Sequence, residues 1–430
     1  MKNLQPDLLP RLEKHRLPGF EAGPDSIYPM YDGLSLVNLP ASICRWLGAP
    51  PFGASPLSRE ILDLYPQTFP HVILLVVDGL GLNMLEDALS LARQDSDYTA
   101  WRELAAEAAL APLTSVVPST TATALTTFWT GRPPSQHGIM GYEVWLKEFG
   151  LIANMILHNP ASYSGDVGGL TKAGFDPRTF LPVPTLGPHL AQEGIVSYAF
   201  QHFSIAHSGL STMLLPGAEV CPYRSLSDLW VTVDDLLDQR PQERNYVYIY
   251  WGALDEHSHR FGPHDERVRR ELADFSRQLG RFVRGRRLAG RQDTLLIVTA
   301  DHGHIFTPRR ADYAVFNNPD LLGCLTMVPS GEARLPYAFL RTGREEMFLR
   351  YLEKTWPGQF LAVPSGQAIE AGLFGGAEVY ERLADRVGDY LIIPQGNAYW
   401  WFSQRENHLL GRHGGLSRTE MLVPFFAAAL

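Results

Sequence analysis

The feature that most constrains this chain is a set of short apolar runs, each followed closely by acids or histidines. Asp78 follows His71-Val-Ile-Leu-Leu-Val-Val77. Asp255 and His259 follow Tyr246-Val-Tyr-Ile-Tyr-Trp251, and Asp301 and His302 follow Thr294-Leu-Leu-Ile-Val-Thr-Ala300. Runs of this length bounded by polar residues read as strands buried on both faces. Helical stretches lie between them, at Thr185 to Glu193, Ser227 to Leu237 and His264 to about Arg284. That alternation predicts an α/β fold: a three-layer α/β/α sandwich with a mostly parallel central sheet. In open sheets of this kind ligands bind beyond the carboxyl ends of the strands, where these acids and histidines stand.

A fourth segment, Gly411-Arg-His-Gly-Gly415, adds His413. Each piece alone has an ordinary reading. Asp78 is a turn residue, Asp255-Glu-His-Ser-His259 a solvated loop, and His413 a surface histidine. Asp301-His302-Gly303 is more specific, because a charged pair directly after an apolar strand needs a partner if buried. Taken together, three carboxylates and three imidazoles on four segments are what a pair of divalent cations needs.

Composition narrows the class. At 430 residues the chain exceeds a typical single core, but α/β enzymes with insertions reach this size as one unit. The formal net charge of −9 argues against a nucleic-acid-coating surface. Cys44, Cys221 and Cys324 are scattered and odd in number, which predicts buried thiols in a reducing compartment. The first residues lack the apolar core of a signal peptide, and no apolar run approaches the roughly 18 residues of a membrane span. These readings predict a cytoplasmic protein without a membrane partner; oligomeric state stays open.

Along the chain, residues 1–65 are rich in Pro and Gly and predict an irregular arm on a catalytic body spanning 66–430. Loop-rich stretches at about 141–183 and 305–408 predict cap-like excursions from the sheet. A helix is expected from Met84 to about Leu110, then a strand from Leu113 to Val117. Pro118-Ser-Thr-Thr121 reads as the cap of a helix from Ala122 to Trp129, stopped by Gly131. Further helices are expected at Arg344 to Lys354 and Glu378 to Asp385, and strands at Ile195 to Phe200, Tyr390 to Ile393 and Met421 to Ala428.

The order Asp78, Thr121, Asp255-x-x-x-His259, Asp301-His302-Gly303, Gly411-x-His413-Gly414 resembles the alkaline phosphatase superfamily. It is most similar to the type I phosphodiesterase/nucleotide pyrophosphatase branch, with phosphonoacetate hydrolase a near relative. Thr130-Gly-Arg-Pro-Pro-Ser-Gln-His-Gly-Ile139 is a specific match. Counting back from it as the family is spaced puts the nucleophile at Thr121, with Thr120 and Thr123 as neighbouring candidates. The resemblance implies that Asp255, His259 and His413 hold one cation and Asp78, Asp301 and His302 the other. Zinc suits this mixed set, with manganese as the alternative. A metal-activated Thr121 would attack a phosphodiester or nucleotide pyrophosphate, giving a covalent phosphothreonine.

One position departs from the branch. Its usual asparagine, five residues after the His of the His-Gly-Ile segment, is Tyr142 here, so phosphonate hydrolysis and phosphomonoester hydrolysis are alternatives. Tyr142, Lys147 and His158 are the candidate substrate contacts, with Trp145 and Tyr163 nearby. A sulfatase is disfavoured because Cys221-Pro-Tyr-Arg224 has the wrong order for that nucleophile. A non-catalytic metal-binding protein is disfavoured because every expected ligand is present.

Overall fold

The computed structural model describes residues 1–163, 165–241, 243–376 and 378–430. Its main sheet has eight strands: β1 (Lys2–Asn3), β2 (His71–Val77), β3 (Ala109–Thr114), β4 (Val196–His202), β5 (Ala218–Tyr223), β6 (Asn245–Trp251), β7 (Thr294–Thr299) and β8 (Leu422–Ala429). Their spatial order is β1-β3-β8-β7-β2-β6-β4-β5. All run parallel except β8, which is antiparallel to both neighbours. The apolar runs β2, β6 and β7 are buried along their whole length, as strands covered on both faces must be.

Register decides what meets at the strand ends. Val77 lies opposite Trp251, and Val76 opposite Thr299. Asp78, the segment after Trp251 and Asp301 therefore leave the sheet at one level. Three helices matter for the site: α1 (Thr121–Thr130), α2 (Ala253–Phe261) and α3 (Glu266–Leu288). Every residue of α1 is buried. Helix α3 is amphipathic and presses Phe275 against Trp251, with ring centroids 4.4 Å apart.

Several sequence expectations are corrected. The single helix expected at 84–110 is two, Leu82–Leu91 and Thr99–Glu107, with a short turn between them. The Asp95 carboxylate takes the N–H of Asp97 at 2.9 Å, a local bond that competes with helix continuation. The following strand starts at Ala109 rather than Leu113 and runs through Pro112, which faces Pro424 of β8. Facing prolines suit a pair position whose amides point out of the ladder. Edge strand β5 was not foreseen, and Cys221 within it is half-buried rather than buried. The helix expected at 378–385 is a short one at Leu383–Val387.

The first 65 residues combine irregular stretches with short regular elements. They supply β1 and helices at Gln5–Lys14, Leu39–Trp46 and Arg59–Leu62, and Trp46 stacks on Phe425 of β8 at 6.0 Å. The two excursions join in a second, seven-stranded sheet. Glu143–Leu146, Leu151–Asn154 and Asn159–Pro160 come from the first; Ser330–Glu332, Leu335–Ala338, Phe360–Pro364 and Tyr390–Pro394 come from the second. They meet where Gly331 pairs with Glu143. A separate apolar cluster around Tyr313, Trp356, Phe360 and Trp400 supports this sheet.

Candidate active site

The five acids and histidines picked out after predicted strands, together with His413, converge as two groups. Asp78, Asp301 and His302 are fully buried, and their ligating atoms lie within 4.8 Å of one another. His302 Nε2 is 3.4 Å from Asp78 Oδ1 and 3.5 Å from Asp301 Oδ2. The other carboxylate oxygens are occupied. Asp78 Oδ2 accepts from the Tyr250 hydroxyl, and Asp301 Oδ1 takes the N–H groups of Gly79 and His302 at 3.2 and 3.0 Å. Beyond these contacts with His302, Asp78 Oδ1 and Asp301 Oδ2 make no hydrogen bond.

Asp255, His259 and His413 form the second group. Asp255 and His259 are one turn apart on α2, with Asp255 Oδ1 3.4 Å from His259 Nε2 and 3.8 Å from His413 Nε2. The two Nε2 atoms face each other at 3.1 Å. In all three histidines Nδ1 is turned to a backbone carbonyl: Gly411 for His259 at 2.9 Å, Ser119 for His413 at 3.1 Å and Gly303 for His302 at 3.2 Å. Donating there leaves the Nε2 lone pair directed into the site, the tautomer a metal-binding imidazole requires.

The electrostatics agree with a cation-binding role. Burial, reinforced by the charges of Asp255 and Asp301, pushes Asp78 well above the usual carboxylate range. Burial also acts upward on Asp255, but His259, His304 and His413 outweigh it and hold that carboxyl well below the range. Burial, aided by the neighbouring imidazoles His302 and His259, drives His413 well below its ordinary value. Neutral imidazoles and crowded carboxylates with unpartnered oxygens are a donor set that fits divalent cations.

Thr121 begins α1 and is 8% exposed, with Oγ1 3.3 Å from His302 Nε2. Thr120 precedes the helix and its hydroxyl meets Glu332, whereas Thr123 is fully buried. Of the three threonines, Thr121 alone pairs with a residue of the acid–histidine cluster through its side chain. It opens on a cleft of about 1110 Å³ lined by residues from α1, α2, the second sheet and the loops around it, among them Thr120, Tyr142, Glu332, Trp401 and Arg412.

Of the expected substrate contacts, only Tyr142 lines this cleft; it is 37% exposed and donates its N–H to Glu332 Oε1 at 2.7 Å. Lys147 is corrected to a surface residue, paired with Asp385 at 2.7 Å in the turn after its strand. His158 is corrected to a core residue, 1% exposed and edge-on to Phe175 at 4.7 Å. Trp145 and Tyr163 do not line the cleft either.

Sequence reasoning missed His304, Tyr250, Glu332 and Arg412. His304 Nε2 lies 2.7 Å from Asp255 Oδ1, and Gly79, at φ +76°, admits it: a Cβ there would sit 2.8 Å from the ring. His304 and Tyr250 each lie near a recognised ligand in sequence, and that adjacency was the available signal. For Glu332 there was none.

Fold and site together define an alkaline-phosphatase-like phosphoryl hydrolase. The sequence model of type I phosphodiesterase/nucleotide pyrophosphatase matches residues 72–416, and the chain belongs to that family, a metal-dependent one. Comparison with curated proteins finds no match. Murine ectonucleotide pyrophosphatase/phosphodiesterase 5 superposes with a TM-score of 0.61 at 16% identity, over 83% of this chain and 87% of that one. One murine structure is an inactive variant in complex with AMP. Phosphonoacetate hydrolase from Sinorhizobium meliloti 1021, in complex with phosphonoacetate, gives 0.59 at 18% identity, over 83% and 89% of the two chains. These likenesses are in fold. Among the described residues no helix is long and apolar enough to cross a membrane.

Proposed function

We propose that the chain hydrolyses phosphodiester or nucleotide pyrophosphate bonds, with Thr121 as nucleophile and two divalent cations, zinc or manganese, as cofactors. Asp78, Asp301 and His302 would hold one cation and Asp255, His259 and His413 the other. Such ions lower the pKa of a coordinated hydroxyl and neutralise charge that develops on phosphoryl oxygens. The observation that carries the reading is Thr121 itself, a hydroxyl at a helix start, 3.3 Å from His302 and open to the cleft. Its Oγ1 attacks phosphorus, the P–O bond to the leaving group breaks opposite, and the phosphothreonine is then hydrolysed by water. The first N–H groups and dipole of α1 favour the anionic phosphoryl group.

A diester is preferred over a monoester on charge grounds. The segment around Thr121 has no cationic side chain before Arg132, which lies past the end of α1 and outside the cleft. A dianionic monoester would find no cationic side chain on that segment to meet its second charge. AMP in the murine relative supports a nucleotide-sized ligand. The test is kcat/KM for bis-p-nitrophenyl phosphate against p-nitrophenyl phosphate, with a diester preference of roughly tenfold or more expected. A tenfold preference for the monoester would overturn the diesterase assignment and leave phosphomonoester hydrolysis in its place.

A further inference from the structure

Four arginines are fully buried among the described residues: Arg286, Arg334, Arg386 and Arg412. Three are paired with carboxylates. Arg286 meets Asp238 and Asp293 at 2.9 Å each, Arg334 meets Glu420 at 2.8 Å and Arg386 meets Glu148 at 3.4 Å. Arg412 has no carboxylate within 4 Å among the described residues. Its hydrogen-bond partners are the Thr307 hydroxyl, the Leu409 carbonyl and the Asn407 amide oxygen, all neutral, and its Nε has none. It is also the one of the four that lines the cleft holding Thr121.

A buried guanidinium without a counter-charge is costly, and of these four described arginines Arg412 is the one where the fold accepts that cost. The Tyr399 ring, 3.7 Å from the guanidinium carbon, offsets part of it and fixes the plane of the group. Arg309 lines the same cleft; it is exposed, donates to the His408 carbonyl at 2.7 Å and adds a second positive charge near the first. A planar fork with donors to spare, held in place beside a substrate cleft, is suited to an oxyanion.

We infer that Arg412, assisted by Arg309, forms an anion subsite that selects substrates carrying a second oxyanionic group besides the reacting phosphoryl group. This rests on the cleft being the substrate site of the proposed hydrolase. The missing counter-charge is then supplied by the substrate.

The test uses zinc-loaded, full-length Thr121→Ala protein, in which turnover is blocked, and titration calorimetry with adenosine 5′-monophosphate and adenosine 3′,5′-bisphosphate. We expect the bisphosphate to bind tighter by roughly tenfold, and the added Arg412→Met substitution to bring the two ligands within about twofold. Equal affinities with Arg412 present, or a preference that survives Arg412→Met, would overturn the subsite. If Arg412→Met fails to fold, Arg309→Gln serves instead: it must shrink the preference at least threefold, and an unchanged preference overturns the inference. Hydrolysis of bis-p-nitrophenyl phosphate by the wild type, run in parallel, reports on the function by itself. Turnover without a bisphosphate preference sinks the subsite alone.

Discussion

Two side chains carry sharp expectations at the residue scale. Thr121→Ala removes the proposed nucleophile but none of the six acids and histidines, so turnover should fall by at least roughly a thousandfold. Metal content by elemental analysis should stay near that of the parent. Full activity in Thr121→Ala, with loss in Thr120→Ala or Thr123→Ala, would move the nucleophile to a neighbour. Glu332 gives a pH signature. Burial raises its carboxyl to about 8, although the Thr120 hydroxyl and the Tyr142 N–H pull the other way. The folded state therefore holds a proton that the unfolded chain releases near its ordinary value of 4.5. The resulting stability is full below 4.5 and is lost as pH rises towards about 8. Glu332→Gln cannot ionise, so chelator-treated variant should lose less Tm than wild type between pH 5 and pH 8. Identical pH profiles would show that Glu332 is already ionised at pH 5.

At the scale of elements, α3 ties the sheet to the site. Phe275 is fully buried and stacks on Trp251, the last residue of β6 before the segment that carries Asp255. Phe275→Ala should destabilise by about 3–5 kcal/mol in denaturant unfolding, through lost burial and the cavity left behind. Arg281→Ala, on the exposed face of the same helix, should stay within about 0.5 kcal/mol. A comparable loss at both positions would show that the helix contributes through something other than its apolar face. The elements were legible in the sequence where the signal is local. Buried strands announce themselves as unbroken apolar runs, and α1 by its threonines and the glycine stop. Pro112 hid β3, since what makes a proline tolerable there is the opposing Pro424, about 300 residues away in sequence.

At the scale of the whole molecule, the two acid–histidine groups draw on the ends of β2 and β7, on α2 and on the 411–413 stretch. Cations bound there would connect segments hundreds of residues apart and relieve the crowding of Asp78, Asp255 and Asp301. Chelation should therefore lower Tm by several degrees, and added zinc or manganese should restore it. An unchanged Tm across chelation and re-addition would mean that the cluster holds no structural cation.

The order of amino acids determined by itself the layered parallel sheet and the acids and histidines that follow its strands. Those features are local: an apolar run specifies a buried strand, and the residue after it is delivered to the carboxyl edge wherever the strand pairs. Tertiary structure alone decided what faces them. Strand register brought Val76, Tyr250 and Thr299 level, and the pairing of Gly331 with Glu143 folded two distant excursions into one sheet. Lys147 and His158, near Tyr142 in sequence, were turned away by that sheet, to the surface and to the core. Glu332 was brought in from a position 190 residues further along than Tyr142, while Arg412 came with its neighbour His413. No local pattern encodes the far wall of a cleft, because its residues meet only when separate segments close on one another.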